Sequence, residues 1–424
     1  MTTLKLSNGK AVGDFEDYEG TEKYNKKQAA PDRGRIMTGD ERQYTLLLVS
    51  LALLILPGIS SLLRIPAVVS EILFGVIMGK SFLHLNVSGD WLPFLAHLGF
   101  LLLMFRAGME IDFRILGKQS RGQIFFQFLF FALTAGLSFL AALLLNCGVF
   151  MTLVLSTTSL GLVMPTLKES GLSKSDLGQS ILMAATLADF LTLLGITFYI
   201  LYIQNGFSME FFRPFPLFIG FGILLRLGRV WAWWHPRQAE TILGLREDSQ
   251  EIGVRFSIAL LFLFVGLSEL VHLEPVLGAF MGGSLLSYVF REKNLLENKL
   301  SALGFGFFIP FFFIHVGMQF DLSNILRPGQ LLFTLKLLLF ALAVKILPSF
   351  LLLFQGKKLR QVFQTGFLLS SRLSLIIAAA AIGVQNGLLS ENLKDAIVFL
   401  ALISCFLGPT LFKLSSGSRK REET

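Results

Sequence analysis

The chain has 424 residues, of which 53% are hydrophobic and only 16% charged, with 43 phenylalanines and a formal net charge of +8; its mean hydropathy is +0.66. A soluble domain carries about a quarter charged residues, so this composition excludes a soluble enzyme and specifies an all-α polytopic membrane protein. The surplus of Lys and Arg then belongs to loops, not to a nucleic-acid surface. Cys147 and Cys405 lie in or beside apolar runs and read as small core residues.

In chain order, residues 1–43 come first. They are polar, lack the apolar stretch of a cleavable signal, and balance eight acidic against eight basic side chains. They predict a disordered tail without net charge. Thirteen apolar runs follow, at about 44–63, 66–80, 92–110, 122–146, 148–167, 176–203, 214–233, 252–271, 274–290, 301–320, 329–354, 361–386 and 392–412. Most approach the ~20 residues of a spanning helix. Two connections, after 63 and after 271, are very short and leave the count open there.

Loop charge gives the runs a direction. Loops after the odd-numbered spans up to the eleventh, with the basic 413–424 tail, hold eighteen Lys and Arg; the opposite loops hold four. The positive-inside rule therefore predicts a cytoplasmic C-terminus and an external N-terminus.

A shift of 209 residues lays the chain on itself. Pro66 falls on Pro275, "GMEID" (Gly108, Met109, Asp112) on "GMQFD" (Gly317, Met318, Asp321), and "FAL" at 131–133 on "FAL" at 340–342. Seven spans separate the copies, an odd number, so the second copy is inverted in the membrane. Inverted repeats mark secondary transporters, whose sites lie near the midplane at discontinuous helices. A duplicated scaffold without transport is the alternative.

Spans 5 and 12 are the two predicted breaks. "LVLSTTSLGLVMPTL" puts four hydroxyl residues in a row, Ser156 to Ser159, before Gly161 and Pro165; "TGFLLSSRLSLIIAAAAIG" holds Ser370, Ser371, Arg372 and Ser374. Unwound backbone at membrane depth is tolerated only where protein buries it or it lines a cavity. The alternative is that small hydroxyl residues simply pack between helices.

Single charges stand inside the apolar runs. Asp189, in "ATLADFLTLLG", is the only charge from about 177 to 203. A buried charge costs at least ~2.5–3.5 kcal/mol, so it normally meets a cavity or partner. Lys345 lies nine residues before the end of span 11, ~14 Å from the interface at the helical rise per residue. Its repeat position is Gly136, and that of Asp189 is Val398, so an Asp189–Lys345 pair is expected at the repeat interface. Arg372, inside the second break, is expected to satisfy freed carbonyls or to pair with a carboxylate, with Glu71 as candidate. Arg106 and Lys336 are within snorkelling reach of span ends, and His315 reads as a satisfied core histidine.

"RIPAVVSEILFGVIMGKS", "LLLMFRAGMEID", "LSTTSLGLVMPTLKESGL", "LEPVLGAFMGGSLLS" and "FFIPFFFIHVGMQFD" resemble successive motifs of the monovalent cation:proton antiporters, in the branch of bacterial sodium/proton exchangers and potassium-efflux membrane modules. The resemblance covers about residues 44–412. It implies thirteen helices, two broken helices that cross, and a homodimer in a bacterial inner (plasma) membrane. It implies a core (about 122–203 and 329–412) that slides against a scaffold (about 44–110 and 252–320), with 214–233 as linker. The family's ion-binding aspartate matches Asp189, its first-break hydroxyls match Thr158 and Ser159, and its basic residues match Lys345 and Arg372. One departure is Ala188, where the family usually has Asp, Asn or Gln. A second is that no nucleotide-binding regulatory domain is expected after residue 424.

The expected function is exchange of a monovalent cation, sodium favoured, for a proton by competition at Asp189. Thr158, Ser159 and freed carbonyls would complete an oxygen shell, and Lys345 would hold the empty aspartate. With a single core carboxylate, one-for-one electroneutral exchange is favoured. Potassium/proton exchange, or a channel or sensor on the same fold, are the alternatives; an organic-anion site would want no acid. No cofactor is expected, since no nucleophile–base pair, metal cluster or phosphate loop stands in the sequence.

Overall fold

The structure, a computed structural model, describes residues 39–63, 66–83, 91–111, 121–206, 214–242, 250–271, 273–290 and 294–416. Most of the expected 1–43 and 413–424 tails, the basic loop residues Arg64, Arg114, Lys118, Arg213, Arg246, Arg291 and Lys293, and Asp112 of the repeat motif lie outside the described residues.

Among the described residues every regular element is a helix. The order is α1 (Gly39–Leu63), α2 (Ala67–Met78), α3 (Trp91–Met109), α4 (Arg121–Leu144), α5 (Phe150–Ser156), α6 (Leu160–Glu169), α7 (Asp176–Asn205), α8 (Pro214–Trp234) and α9 (Pro236–Ile242). It continues with α10 (Ile252–Leu270), α11 (Pro275–Val289), α12 (Asn294–Leu303), a π-helical turn (Gly304–Phe308), α13 (Ile309–Gln319), α14 (Leu322–Ile325) and α15 (Pro328–Ser349). A 3₁₀ stretch (Phe350–Gln355), α16 (Leu359–Leu369), α17 (Ser374–Gln385) and α18 (Glu391–Ser416) complete the chain.

Nine helical segments among the described residues are long and apolar enough to span a bilayer, or ten with the α16–α17 pair, which bends by 45°. Shorter apolar stretches, Val49–Leu62, Ala67–Met78 and Pro275–Val289, occupy the remaining predicted positions. The last two flank the very short connections that left the sequence count open. The tenth predicted span differs in its start: the helix begins at Asn294, and the π turn interrupts it before Pro310.

Two packing relations carry the internal symmetry. α2 lies on α13, and α3 lies on α11. A β-carbon on Gly75 would come within 2.2 Å of the Ile314 carbonyl oxygen, and one on Gly317 within 2.1 Å of that of Ile72. A β-carbon on Gly108 would meet the Phe280 oxygen at 2.1 Å, and one on Gly283 the Phe105 oxygen at 1.8 Å. Only glycine permits backbones this close. The 209-residue shift carries α2 onto α11 and α3 onto α13. It thus turns the α2–α13 contact into the α11–α3 contact, and sets Gly317 on Gly108. This exchange is what a two-fold axis between two inverted copies requires.

α4, α5, α7, α15, α16, α17 and α18 pack mainly on one another. Between α7 and α11, Phe190 stacks on Phe280 with ring centroids 6.3 Å apart, beside the midpoint of α7 where Asp189 lies. Both cysteines are free thiols.

Candidate functional site

The span formed by α5 and α6 breaks where its hydroxyl run begins. Ser156 Oγ donates to the Thr152 oxygen at 2.7 Å and Thr157 Oγ1 to that of Val154 at 2.7 Å. Such side-chain bonds to the preceding turn compete with the helical ladder. Thr157 then leaves the helix (φ −58°, ψ 156°), Ser159 is extended (φ −137°, ψ 100°), and α6 restarts at Leu160. The break leaves carbonyls of α5 and amides of α6 without helical partners.

The two polarities are met by opposite charges. Asp189 faces the amide end: the Leu160 N–H donates to its Oδ2 at 3.4 Å, where the positive end of the α6 dipole also favours an anion. Asp189 is only 9% exposed, and its Oδ1 is buried without a hydrogen-bond partner. Lys345 faces the carbonyl end. Its Nζ donates to the Ser156 oxygen at 2.7 Å and to Thr158 Oγ1 at 2.9 Å. Arg372 adds a second cation: Nε donates to the Thr157 oxygen at 3.1 Å, and Nη2 to those of Leu155 at 3.0 Å and Ala341 at 2.9 Å.

Arg372 sits in the second break, between α16 and α17, and is fully buried. Ser404 of α18 holds its backbone, accepting from the Arg372 N–H at 3.3 Å and donating to the Arg372 oxygen at 3.1 Å. The two broken spans therefore meet, joined by one guanidinium.

Asp189, Thr158, Ser159, Lys345 and Arg372 are thus brought to one place, all nine-tenths or more buried. Two expected pairings are not made. Lys345 forms no ion pair with Asp189; the freed carbonyl of Ser156 and the Thr158 hydroxyl take its protons instead, and the Thr158–Leu160 segment links the two side chains. Glu71 forms no ion pair with Arg372, whose Nε and Nη2 go to carbonyls while its Nη1 has no hydrogen-bond partner. Glu71 is buried in α2, and its Oε2 has no hydrogen-bond partner. Arg106 pairs with Glu110 at 3.6 Å and with Ser301 Oγ at 2.8 Å. Lys336 is exposed. His315 Nε2 lies 2.8 Å from Gln319 Nε2.

Sequence reasoning passed over Ser404 and Glu110. Nothing in the sequence marks Ser404. Glu110 was visible as the one acid-for-amide difference between "GMEID" and "GMQFD".

A helical bundle with inverted repeats and a buried carboxylate at a broken span is the architecture of a secondary transporter. The chain belongs to the sodium/hydrogen exchanger family, whose transmembrane model matches residues 48–413. It is 36% identical over 380 residues to YjbQ of Bacillus subtilis, an alignment that covers 85% of this chain and 60% of that relative's length. It is 27% identical to the Na(+)/H(+) antiporter of Enterococcus hirae, covering 87% of this chain and 96% of that protein. Its fold matches the structure of the sodium proton antiporter MjNhaP1 from Methanocaldococcus jannaschii with a TM-score of 0.63 at 14% identity, over 89% of this chain and 98% of the other.

Proposed function

We propose that this integral membrane protein exchanges a monovalent cation, sodium favoured, for a proton, and that Asp189 is the exchange site. The observation that carries the reading is the Asp189 carboxylate: one oxygen rests on the α6 amide end and the other is buried with no hydrogen-bond partner. A buried oxygen in that state needs a cation or a proton. One carboxylate binds either, not both, so the two ions compete. Thr158, Ser159 and the loosened backbone of 157–159 lie close enough in sequence and space to complete a shell of hard oxygen ligands. Family membership and the names of the relatives support the same class of activity.

The division of labour follows the packing. The core, 122–203 and 329–412, carries the ion; the scaffold, 44–110 and 252–320, is clamped by its glycine contacts; α8 connects them. The core slides in an elevator motion while Arg372 and Lys345 keep the broken spans together. The C-terminus faces the cytoplasm of a bacterial plasma membrane, the N-terminus faces outside, and the protein works as a homodimer. Among the described residues Asp189 is the one carboxylate at the breaks; the core's other buried acid, Asp395 of α18, is bonded to Asn324 instead. With one carboxylate at the site the exchange is one-for-one and electroneutral. Such an exchanger is driven by ion gradients alone, without the ~2.3 kcal/mol per 100 mV that a net charge would gain from the potential.

The test uses sealed proteoliposomes, acid inside, with an internal pH dye. Valinomycin and equal potassium on both sides hold the voltage at zero, and sodium or lithium is then added outside; a second series omits valinomycin and adds potassium. The expected result is that sodium alkalinises the lumen in the wild type and not in Asp189→Asn. A response to potassium alone would reassign the cation, and a wild-type response from Asp189→Asn would overturn the site. A voltage-dependent, unsaturated flux would mark a channel.

A further inference from the structure

At the mouth of the site, α3 faces the first turn of α6. A β-carbon placed on Gly161 would lie 4.0 Å from Glu110 Oε2 and 4.0 Å from Ser159 Oγ. Gly161 is itself exposed and follows Leu160, whose amide meets the buried Asp189 carboxylate. Glu110 is close enough for its charge to act on Asp189. It is held in place by Arg106, which is itself fixed by Ser301 of α12 and lies 4.8 Å from the centre of the Phe305 ring.

The repeat makes this carboxylate informative. The 209-residue shift sets Arg106 on His315 and Glu110 on Gln319. Both pairs are i,i+4 neighbours in contact, Arg106 with Glu110 and His315 with Gln319. Glu110 directly follows α3, before the basic 112–120 loop, and Gln319 ends α13 on the opposite face. One face of the scaffold thus presents an acid where the other presents an amide.

We propose that Glu110 is a positioning residue for the transported cation on the basic-loop face alone, and that Gln319 is its neutral counterpart on the opposite face. This rests on the reading of Asp189 as the exchange site. A cation approaching Asp189 past Gly161 meets the Glu110 carboxylate across the core–scaffold gap. Glu110 stays with the scaffold when the core moves, so a cation released on the other side meets Gln319 and His315 instead. The exchanger therefore loads sodium at lower concentration from the basic-loop face than from the other. Removing the Glu110 charge also leaves Arg106 uncompensated at the mouth, which adds repulsion to the lost attraction.

The test is the sodium KM on each face, measured with everted and right-side-out membrane vesicles from a host lacking its own exchangers. Glu110→Gln is expected to raise KM roughly five- to tenfold in everted vesicles, the scale of one lost charge contact near a protein surface. KM in right-side-out vesicles and kcat in both stay near wild type. Gln319→Glu is expected to lower KM in right-side-out vesicles only, and Glu110→Asp, which keeps the charge, to stay close to wild type. Equal KM changes on both faces, or loss of kcat at unchanged KM, would overturn the proposal, as would a Gln319→Glu without effect. If Glu110→Gln does not fold, Glu110→Asp and Gln319→Glu still decide it. Asp189→Asn runs alongside: its continued exchange sinks the site reading, whereas an inactive Asp189→Asn with a wild-type Glu110→Gln sinks only this inference.

Discussion

The two broken spans use one backbone device in opposite ways. At 157–160 the chain supplies the Leu160 amide to Asp189, and one carboxylate oxygen remains unpartnered. At 370–373 the chain supplies donors instead: Arg372 reaches across to the carbonyls of Leu155 and Thr157 at the first break and of Ala341 in α15, and Ser404 bridges its backbone. The first break leaves an anionic oxygen without a partner; the second leaves Arg372 Nη1 and Ser371 Oγ without one, and no carboxylate stands in it. An unpaired carboxylate oxygen is what an exchanging cation needs; carbonyls tied to a buried guanidinium are what hold two crossing spans together.

The sharpest way to break this contrast is Arg372→Ala. It strips the donors from the carbonyls of Leu155, Thr157 and Ala341. Each buried acceptor left unmade costs about 1–3 kcal/mol. We expect loss of the monodisperse protein in detergent, read by size-exclusion chromatography. A well-folded Arg372→Ala that retains exchange would show that the second break does not depend on its guanidinium.

Lys345→Met comes next. It removes the donors to Ser156 and Thr158, but it also removes a buried charge whose desolvation opposes folding. The expected loss is about 2–4 kcal/mol of thermal stability. Sodium should still stabilise the variant, because a ligand that binds the native state raises its stability in proportion to occupancy and Asp189 remains. Melting curves with and without sodium check this; a Lys345→Met melt blind to sodium would make the lysine part of the ion site.

Thr158→Val keeps the shape and removes one hydroxyl. It is expected to cost about 1 kcal/mol in stability and to raise the sodium KM, since Thr158 Oγ1 meets Lys345 now and is offered to the cation in exchange. An unchanged KM in the flux assay would remove Thr158 from the shell.

Much of this was legible in the sequence, and the illegible part has one cause. The hydroxyl run forecast the first break, the Ser-Ser-Arg run the second, and isolated charges gave Asp189, Lys345 and Arg372. The constant offset gave the inverted copy, and the Gly108 and Gly317 anchors turned out to be equivalent close contacts. The partners were misjudged because sequence reasoning pairs charged side chains with one another. Here Lys345 and Arg372 are taken by main-chain oxygens, which every residue has and no residue name reveals. A break in a helix creates such oxygens, so a cation predicted near a break belongs first to the backbone. Glu71 lost its expected partner for the same reason.

The smallest effect tests whether the second break is purely structural. Ser404 Oγ sits between the Arg372 N–H and the Arg372 oxygen, 3.3 and 3.1 Å away, and also lies 3.2 Å from the Ala401 oxygen. Ser404→Ala removes this bridge but leaves every bond of the guanidinium. The expected loss is about 0.5–1.5 kcal/mol, the net worth of an ordinary hydrogen bond, seen as a modest drop in melting temperature. Sodium KM and kcat should not move, since no atom of the first break has changed. A shift in KM without a change in melting would mean that the backbone at Arg372 is tuned for the ion rather than for the fold. The two breaks would then be one site reached from two repeats.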